Sequence, residues 1–177
     1  DSALFDVGEP SAPIALTALP NAVGCFGANS GAIDLSVTGG TPGYSYLWSN
    51  NATSQDIQSL LAGNYQVVVT DANGCIDSLD VPITQPQAPL MVMTNITNAP
   101  CFGQSGGSID LNVAGGTMPY TYFWNTGDTL QDLVGIPAGQ YTVVVSDSNN
   151  CASSLIINVT QPQSAVAINL TSVQPSC

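Results

Sequence analysis

Apolar and polar residues alternate along most of this chain. In the stretch 108–114, the apolar residues Ile109, Leu111 and Val113 are separated by single polar residues. A period of two residues is typical of half-buried antiparallel strands. The pattern predicts an all-β fold without helices. In the second half of the chain we expect strands near 90–96, 108–114, 119–125, 129–134, 140–146 and 153–160, the fourth of them short and irregular.

Five short motifs occur twice, 76 residues apart. Cys-Phe-Gly starts at Cys25 and again at Cys101, and each copy is followed in the same order by Gly-Gly-Thr, Tyr-x-Tyr-x-Trp, Ala-Gly-x-Tyr and Asp-x-Asn-x-Cys. A fixed period indicates tandem copies of one structural unit. About seven short strands per period, with turn signals between them, favour an immunoglobulin-like β-sandwich for each copy.

The period divides the chain into two complete repeats and two fragments. We expect the last strand of a preceding repeat in 1–10, complete immunoglobulin-like repeats in 11–87 and 88–163, and the first strand of a following repeat in 164–177. A proline at each joint keeps the preceding residue extended, so the joints are short and fairly stiff. Asp1 is not a natural initiator residue, and we expect the segment to belong to a longer protein.

One predicted strand in each repeat carries an aromatic stripe on one face. Such a stripe is either a platform on which sugars stack or part of a sandwich core, and the core is the commoner place for a strand tryptophan. The tyrosine of each Ala-Gly-x-Tyr motif resembles a tyrosine corner, in which the hydroxyl bonds back to a loop. The residues concerned are Tyr44, Tyr46 and Trp48 with Tyr65 in the first repeat, and Tyr120, Tyr122 and Trp124 with Tyr141 in the second.

The charge of the chain is one-sided. It contains no Lys, Arg or His against 12 acidic residues, and its formal net charge is −12. Side-chain salt bridges cannot form, so carboxylates depend on backbone N–H groups, hydroxyls, amides, water or cations. Nucleic acid and anionic membrane surfaces are excluded as partners because both require basic residues. Glycine and proline interrupt the apolar stretches, which argues against membrane insertion.

The usual catalytic groups are also missing from the sequence. No His or Lys can transfer protons and no Arg can stabilise an oxyanion. Paired carboxylates, as in glycosidases, are the remaining option, but the acidic residues fall on outward strand positions or in turns, with no sign of a shared cleft. We therefore expect a protein that is not an enzyme and that needs no cofactor, with the exception of a possible Ca²⁺.

Four of the five cysteines form two pairs with the same spacing of 50 residues. We predict the disulfides Cys25–Cys75 and Cys101–Cys151, each closing loops at one pole of its repeat, and a partner for Cys177 beyond the chain. A metal site is the weaker alternative, since CxxC motifs and His are absent. Each bond would add about 4 kcal/mol in the chain-entropy model. Disulfides indicate an oxidising compartment and therefore secretion.

The Asp-x-Asn-x-Cys motifs are candidate Ca²⁺ sites. Asp71 with Asn73, and Asp147 with Asn149, place two oxygen ligands two residues apart in an extracellular turn. The alternative is an Asx-turn that closes a hairpin, which we favour.

Taken together, the motifs resemble the SprB-type repeat of gliding Bacteroidetes surface adhesins. The resemblance rests on Cys-Phe-Gly, Gly-x-Ile-Asp-Leu, Gly-Gly-Thr, Tyr-x-Tyr-x-Trp, Ala-Gly-x-Tyr-x-Val-Val-Val and Asp-x-Asn-x-Cys. It implies a β-sandwich related to polycystic-kidney-disease (PKD) and immunoglobulin-like domains. It also implies an extracellular or cell-surface location, export by the type IX secretion route, and work in adhesion or gliding motility.

The same resemblance gives meaning to a second short pattern. Bacteroidetes attach O-glycans at Asp-Ser/Thr followed by an apolar residue, and Ser2, Ser78 and Thr129 fit this pattern. We therefore predict a glycoprotein modified at these three hydroxyls.

Two functions follow from the resemblance and the composition. In the first, the repeats form a stalk or surface filament whose partners are the neighbouring repeats of the same chain. In the second, exposed residues of each repeat bind an extracellular polysaccharide or a protein partner directly. Self-association with other copies is a further option, although the charge of −12 opposes it unless cations bridge the chains. The near-identical core motifs favour the stalk.

Overall fold

The computed structural model describes residues 12–167, and within them the chain is all-β. It divides into two compact units, Asp1–Pro89 and Leu90–Cys177. None of the described residues belongs to a helix long and apolar enough to cross a membrane. The strands of the first unit are β1 (Ala15–Asn21), β2 (Gly31–Thr38), β3 (Ser45–Trp48), β4 (Ile57–Leu60), β5 (Gly63–Thr70) and β6 (Ile76–Ile83). Those of the second are β7 (Met91–Thr97), β8 (Gly107–Ala114), β9 (Thr121–Trp124), β10 (Leu133–Ile136), β11 (Gly139–Ser146) and β12 (Ala152–Val159).

Each unit is a sandwich of two three-stranded antiparallel sheets. In the first unit the orders are β1-β2-β4 and β3-β5-β6, and in the second they are β7-β8-β10 and β9-β11-β12. The register is conserved between the units: Trp48 lies opposite Val67, and Trp124 lies opposite Val143. The tandem immunoglobulin-like β-sandwich predicted from the sequence is confirmed.

The inward positions of both sheets meet in one core per unit. Because side chains of a strand alternate between its faces, the buried residues of each strand are two positions apart: Ile33 and Leu35 in β2, and Val67 and Val69 in β5. The tryptophans are the largest of these side chains, and Trp48 and Trp124 are 1% and 0% exposed. The first core contains Val23, Ile33, Leu35, Trp48, Ile57, Leu60, Val67, Val69, Val81 and Ile83. The second contains Ile109, Leu111, Trp124, Leu133, Tyr141, Val143, Val145, Ile157 and Val159.

The predicted strands differ from the observed ones mainly in one place. The irregular strand expected near 129–134 is Leu133–Ile136, and six strands per unit are present in the described residues, against about seven expected for this fold class. Residues 125–132 carry the chain from one sheet to the other instead of forming a strand. The predicted last strand of a preceding repeat, in 1–10, lies outside the described residues. Of the predicted first strand of a following repeat, in 164–177, only 164–167 are described, and they form no strand.

Each repeat has two ends that carry different loops. We call the leading end the one where the first strand begins; it holds the Gly-Gly-Thr turn and the Asp-x-Asn-x-Cys loop. The trailing end is the one where the last strand finishes, and it holds the Cys-Phe-Gly loop. At the trailing end of the first repeat, Val23 N–H donates to the carbonyl of Thr84 (2.8 Å) just after β6. At its leading end, Asp71 N–H donates to the carbonyl of Cys75 (3.0 Å) just before β6.

The two predicted disulfides are wrong in this structure. Cys75 and Cys101 are free, exposed thiols, whereas Cys25 and Cys151 are both disulfide-bonded. Within a repeat the two cysteines lie at opposite ends, because the full length of β6 separates the loop of Cys25 from Cys75. Eight strand residues span about 26 Å. A disulfide requires Cα atoms roughly 4.4–6.8 Å apart, so Cys25–Cys75 and Cys101–Cys151 cannot form.

Candidate functional site

The acidic loop at the leading end is the most polar buried feature of each repeat. Asp71 and Asp147 are 5% and 4% exposed, the only buried charged residues among those described. One carboxylate oxygen of Asp71, Oδ1, accepts the N–H groups of Asn73 (2.9 Å) and Cys75 (2.8 Å), and Oδ2 accepts Thr41 N–H (2.9 Å). The carboxylate therefore ties the Asp-x-Asn-x-Cys loop to the Gly-Gly-Thr turn.

The second repeat builds the same arrangement around Asp147. Its Oδ1 accepts the N–H groups of Asn149 and Cys151, both at 2.9 Å, and Oδ2 accepts Thr117 N–H at 2.9 Å. The amide of Asn149 donates to the Thr117 hydroxyl (3.1 Å). Since no cation is available in the sequence, backbone N–H groups supply all the compensation that the buried charge receives from the described residues.

These bonds favour the ionised carboxylates. The hydrogen bond from Thr41 N–H, with those from Cys75, Asn73 and Gly74, lowers the pKa of Asp71 against the opposing effect of burial. For Asp147, burial acts to raise the pKa, but the bonds from Cys151, Thr117 and Asn149 outweigh it and the pKa is lowered. A depressed pKa in the folded state means that folding is favoured by the ionised form.

We expect acid to destabilise the protein through these two carboxylates. Their stabilising effect is complete above the unfolded pKa, about 3.9, and is lost as the pH falls through the lower folded pKa. The unfolding temperature should therefore fall between about pH 5 and pH 2. At pH 7, Asp147→Ala should lower the unfolding temperature of the second repeat by about 10 °C, because three N–H groups lose their acceptor.

Calorimetry from pH 7 to pH 2 on wild type, Asp147→Ala and Asp110→Ala checks this expectation. Asp110 is an exposed strand residue and serves as the control: its variant should keep the acid-dependent decrease, whereas Asp147→Ala should lose the part that belongs to the second repeat. Protonation also relieves the repulsion among the 12 acidic residues. An unfolding temperature that rises steadily down to pH 2 would contradict the role assigned to Asp71 and Asp147.

The Ca²⁺ prediction at Asp71, Asn73, Asp147 and Asn149 stays a prediction. The loop has the geometry of an Asx-turn, in which the aspartate oxygen accepts the N–H two residues on. Among the described residues, no group of three or more His, Cys, Asp or Glu side chains could hold a metal ion. Calorimetric titration with Ca²⁺ tests the prediction directly: binding heat that disappears in Asp147→Ala would support a cation site.

The aromatic stripe belongs to the core and to its borders. The indole N–H of Trp48 donates to the carbonyl of Ser54 (2.9 Å), and that of Trp124 donates to the carbonyl of Leu130 (2.8 Å). The hydroxyl of Tyr120 donates to the carbonyl of Gly115 (2.6 Å). Partial burial raises the pKa of Tyr122, as it does that of Tyr46. The interpretation of these tryptophans as core residues is confirmed.

The two Ala-Gly-x-Tyr tyrosines form the predicted corners. The hydroxyl of Tyr65 donates to the carbonyl of Leu61 (3.1 Å), and that of Tyr141 donates to the carbonyl of Pro137 (2.9 Å). Each bond runs back four residues and fixes the turn that precedes β5 or β11.

The sequence reasoning missed a Gln-Asp pair that extends one sheet of each repeat. In the first repeat, Asp56 Oδ1 accepts Leu35 N–H (3.0 Å), while Gln55 donates to the carbonyl of the same residue. In the second, Asp132 Oδ1 accepts Leu111 N–H (2.9 Å), and Gln131 donates to the carbonyl of Leu111 (2.6 Å). These side chains take the place of a neighbouring strand. The recurrence of Gln-Asp at the 76-residue period was the signal that could have revealed them.

The Cys-Phe-Gly loop is anchored by the joint that follows each repeat. Gly27 N–H donates to the side-chain oxygen of Gln85, and Gly103 N–H donates to that of Gln161, both at 2.8 Å. In the second repeat this contact borders a cleft of about 350 Å³, lined mainly by Pro100, Cys101, Phe102, Pro162, Ala165 and Val166. The thiol of Cys101 lies on a partly apolar surface.

The predicted glycosylation positions are accessible where they are described. Ser78 on β6 and Thr129 before β10 are both exposed. In each case the preceding aspartate accepts the N–H of the residue through Oδ1, at 2.8 Å for Ser78 and 2.9 Å for Thr129. Ser2 lies outside the described residues. The modification itself stays a prediction.

Each unit of the chain contains a stretch similar to a known repeat family. The SprB repeat family matches the chain twice, at residues 22–53 and 93–129, once in each unit. No curated protein matches the chain. Each match covers the Gly-Gly-Thr turn and the aromatic strand of one repeat.

Several solved structures resemble the chain at low sequence identity. The eight N-terminal Ig domains of Down Syndrome Cell Adhesion Molecule are 12% identical with a TM-score of 0.46; the match covers 87% of this chain and 25% of that one. Fibronectin(III)-like modules of Clostridium thermocellum CbhA are 13% identical with a TM-score of 0.36, covering 88% and 100%. Domains 4 and 5 of the S-layer protein SbsC are 14% identical with a TM-score of 0.32, covering 87% and 99%. None reaches a TM-score of 0.5, so the likeness carries no functional argument.

Proposed function

Because the chain carries two SprB repeats, we propose that it is a non-catalytic segment of a large secreted adhesin or surface filament, in which the repeats act as a stalk in adhesion or gliding. The repeat match supports a surface protein, and the disulfide-bonded Cys25 and Cys151 are consistent with an extracellular location. Export by the type IX route and modification at Ser78 and Thr129 belong to the same proposal.

The main support for the stalk function is that the distinctive polar groups of each repeat form hydrogen bonds within that repeat. The carboxylates of Asp71 and Asp147, the indoles and the corner tyrosines all bond within their own repeat. No buried side-chain nitrogen or oxygen in the described part of the chain lacks a hydrogen-bond partner. A binding or catalytic site usually keeps such groups available to a ligand.

An exchange experiment tests the stalk. In the parent surface protein, the two repeats are replaced by two unrelated immunoglobulin-like domains of the same length. A stalk supplies length and rigidity, so adhesion or gliding should persist after the exchange and weaken after simple deletion. Loss of adhesion in the exchanged protein, with its surface display unchanged, would show that the repeats themselves recognise a ligand.

Direct binding is the alternative, and one exposed surface favours it. On the outer face of β9, β11 and β12, Phe123 and Ile156 are both 63% exposed and Val144, opposite Phe123, is 38% exposed. The first repeat has Asp80 at the position equivalent to Ile156. The second repeat therefore presents an apolar surface that the first repeat interrupts with a charge.

A glycan array with the two-repeat protein separates the two functions. The stalk predicts no binding above background. Binding that disappears in Phe123→Ala and in Ile156→Asp, the latter copying the first repeat, would assign direct recognition to this face. Both side chains are exposed, so these variants should fold as wild type does.

A further inference from the structure

We propose that the outer edge of β12 pairs with the same edge of a second copy of this chain, so that two β9-β11-β12 sheets join into one continuous sheet. The pairing is antiparallel and two-fold symmetric. It gives the second repeat an interaction surface of its own, and it does not depend on whether the repeats act as a stalk.

The backbone of β12 presents half of its hydrogen-bonding groups to the outside. Just before the strand, Asp147 N–H donates to the carbonyl of Cys151 (3.0 Å), and the β11–β12 register continues from that pair without a shift. Because bonded and non-bonded pairs alternate in an antiparallel ladder, the backbone groups of Ser154, Ile156 and Asn158 point away from β11. Among the described residues β12 pairs only with β11, so these three N–H groups have no acceptor there.

The first repeat blocks the same edge, which there belongs to β6. Pro82 lies at an outward position and has no N–H to donate. The outward N–H of Ser78 already donates to Asp77 Oδ1 (2.8 Å), and Asp80 adds a second charge to the strand. Prolines and charges are the usual means by which edge strands avoid pairing with other chains. At the positions of Pro82, Asp77 and Asp80, β12 has asparagine, serine and isoleucine, so its edge is open.

The distribution of charge allows a second copy to approach at this edge. Of the 12 acidic residues, eight lie in 1–89 and four in 90–177, and none of them belongs to β9, β11 or β12. The sheet that ends in β12 is therefore neutral within a chain of net charge −12. Two copies repel each other less at β12 than at β6, where each chain would bring two aspartates.

The strand is also complementary to itself. In an antiparallel register centred on Ile156, the outward groups of Ile156 face those of Ile156 of the second copy, and those of Ser154 face Asn158 of the second copy. The three bonded pairs that result each contribute two N–H···O bonds. The Ile156 side chain, 63% exposed, gains an apolar neighbour across the two-fold axis. Because both chains use the same surface, the contact closes at a dimer.

Sedimentation equilibrium of the full chain tests the proposal. The free thiols are first alkylated with iodoacetamide, so that no disulfide forms between chains, and EDTA is present throughout to remove bridging cations. As the concentration rises to about 1 mM, the average mass should increase from that of one chain towards that of two and no further. The dissociation constant should be several-fold lower in about 0.5 M NaCl than in about 50 mM NaCl, because salt screens the repulsion between the acidic chains. A monomer at every concentration, or a mass that exceeds two chains, would contradict the two-fold pairing.

Two proline variants assign the dimer to one edge. Asn158→Pro on β12 copies Pro82 of the first repeat, and Ile96→Pro on β7 copies Pro20, so each proline occupies a position that the fold accepts in the other repeat. Asn158→Pro should abolish the dimer, because it removes an outward N–H, whereas Ile96→Pro should leave the dissociation constant unchanged. A dimer that survives Asn158→Pro, or that is lost in Ile96→Pro, would overturn the proposal.

Two charged variants at Ile156 test the two-fold register without relying on a backbone change. Because Ile156 faces its own copy, Ile156→Asp alone and Ile156→Lys alone should each weaken the dimer at least tenfold, since like charges then lie directly opposite each other. An equimolar mixture of the two variants should restore a dimer that contains one chain of each kind. Phe123→Ala, on the same face but two strands away, should dimerise as wild type does. Failure of the mixture to dimerise, or loss of the dimer in Phe123→Ala, would show that the contact is not the β12 edge.

Discussion

Replacing Trp124 by alanine is expected to unfold the second repeat at moderate temperature while the first repeat stays folded. The side chain is fully buried, faces Val143 across the sheet, and donates its indole N–H to the carbonyl of Leu130. Removing a buried tryptophan costs about 3–5 kcal/mol. For a domain of this size, that lowers the unfolding temperature by about 15–30 °C.

The chain offers a built-in way to follow the two repeats separately. It has two tryptophans, Trp48 in the first core and Trp124 in the second. In Trp124→Ala, fluorescence therefore reports the first repeat alone, whereas far-UV circular dichroism reports both. We expect an early transition seen only by circular dichroism and a later one, at the wild-type temperature, seen by both.

The neighbouring Phe123 supplies the matched control. It is aromatic, one residue away on the same strand, and 63% exposed on the opposite face. Phe123→Ala should shift the unfolding temperature by only a few degrees, because exposed substitutions usually change stability within about 0.5 kcal/mol. A large loss in both variants, or in neither, would contradict the assignment of Trp124 to the core.

The alternation of apolar and polar residues was sufficient to predict the sandwich, because a strand with one buried face and one exposed face requires that alternation. In β8, Ile109 and Leu111 are fully buried while Asp110 between them is exposed, and a shift by one residue would invert all three. Local geometry was equally predictable at Tyr65 and Tyr141, because the corner bond spans only four residues.

The pairing of the cysteines could not be predicted in the same way, because it depends on the direction of every strand between them. Four strands were expected between Cys101 and Cys151, and four alternating strands return a chain to the end where it started. In the structure β8 and β11 finish at the same end, where Thr117 N–H bonds to Asp147. Since β9 is antiparallel to β11 and β10 is antiparallel to β8, β9 and β10 run in the same direction. Residues 125–132 cross between the sheets without counting as a strand, and Cys151 therefore lies at the other end.

The role of the acidic loops could be predicted only in part from the sequence, for a related reason. The spacing of Asp71 and Asn73 fits both a Ca²⁺ ligand pair and an Asx-turn. The contact that ties the loop to the turn, from Thr41 N–H to Asp71 Oδ2, joins residues that are 30 positions apart. Only the fold brings the Gly-Gly-Thr turn beside the carboxylate.

That turn is where we expect the second-largest effect, from Gly39→Ala. Gly39 has φ +69°, a left-handed conformation that costs other residues about 1–2 kcal/mol. A Cβ placed there would lie 1.9 Å from the carbonyl oxygen of Pro13. Because the obstacle is backbone, no side-chain rotation relieves it. We expect the first repeat to lose about 3 kcal/mol, or about 15 °C in its unfolding temperature.

Gly74→Ala is the control because it separates the cost of the left-handed backbone conformation from the cost of the steric clash with Pro13. Gly74 also has a positive φ, +84°, but a Cβ there would meet nothing within 4 Å. In Gly74→Ala, the unfolding temperature of the first repeat should therefore fall by only about 5 °C, the part due to the backbone conformation. In a Trp124→Phe background, Trp48 fluorescence measures the unfolding temperature of the first repeat in each of the two variants. Equal losses in Gly39→Ala and Gly74→Ala would mean that the approach of Pro13 does not restrict the turn, and that the conformation of the glycines alone accounts for the Gly-Gly-Thr motif.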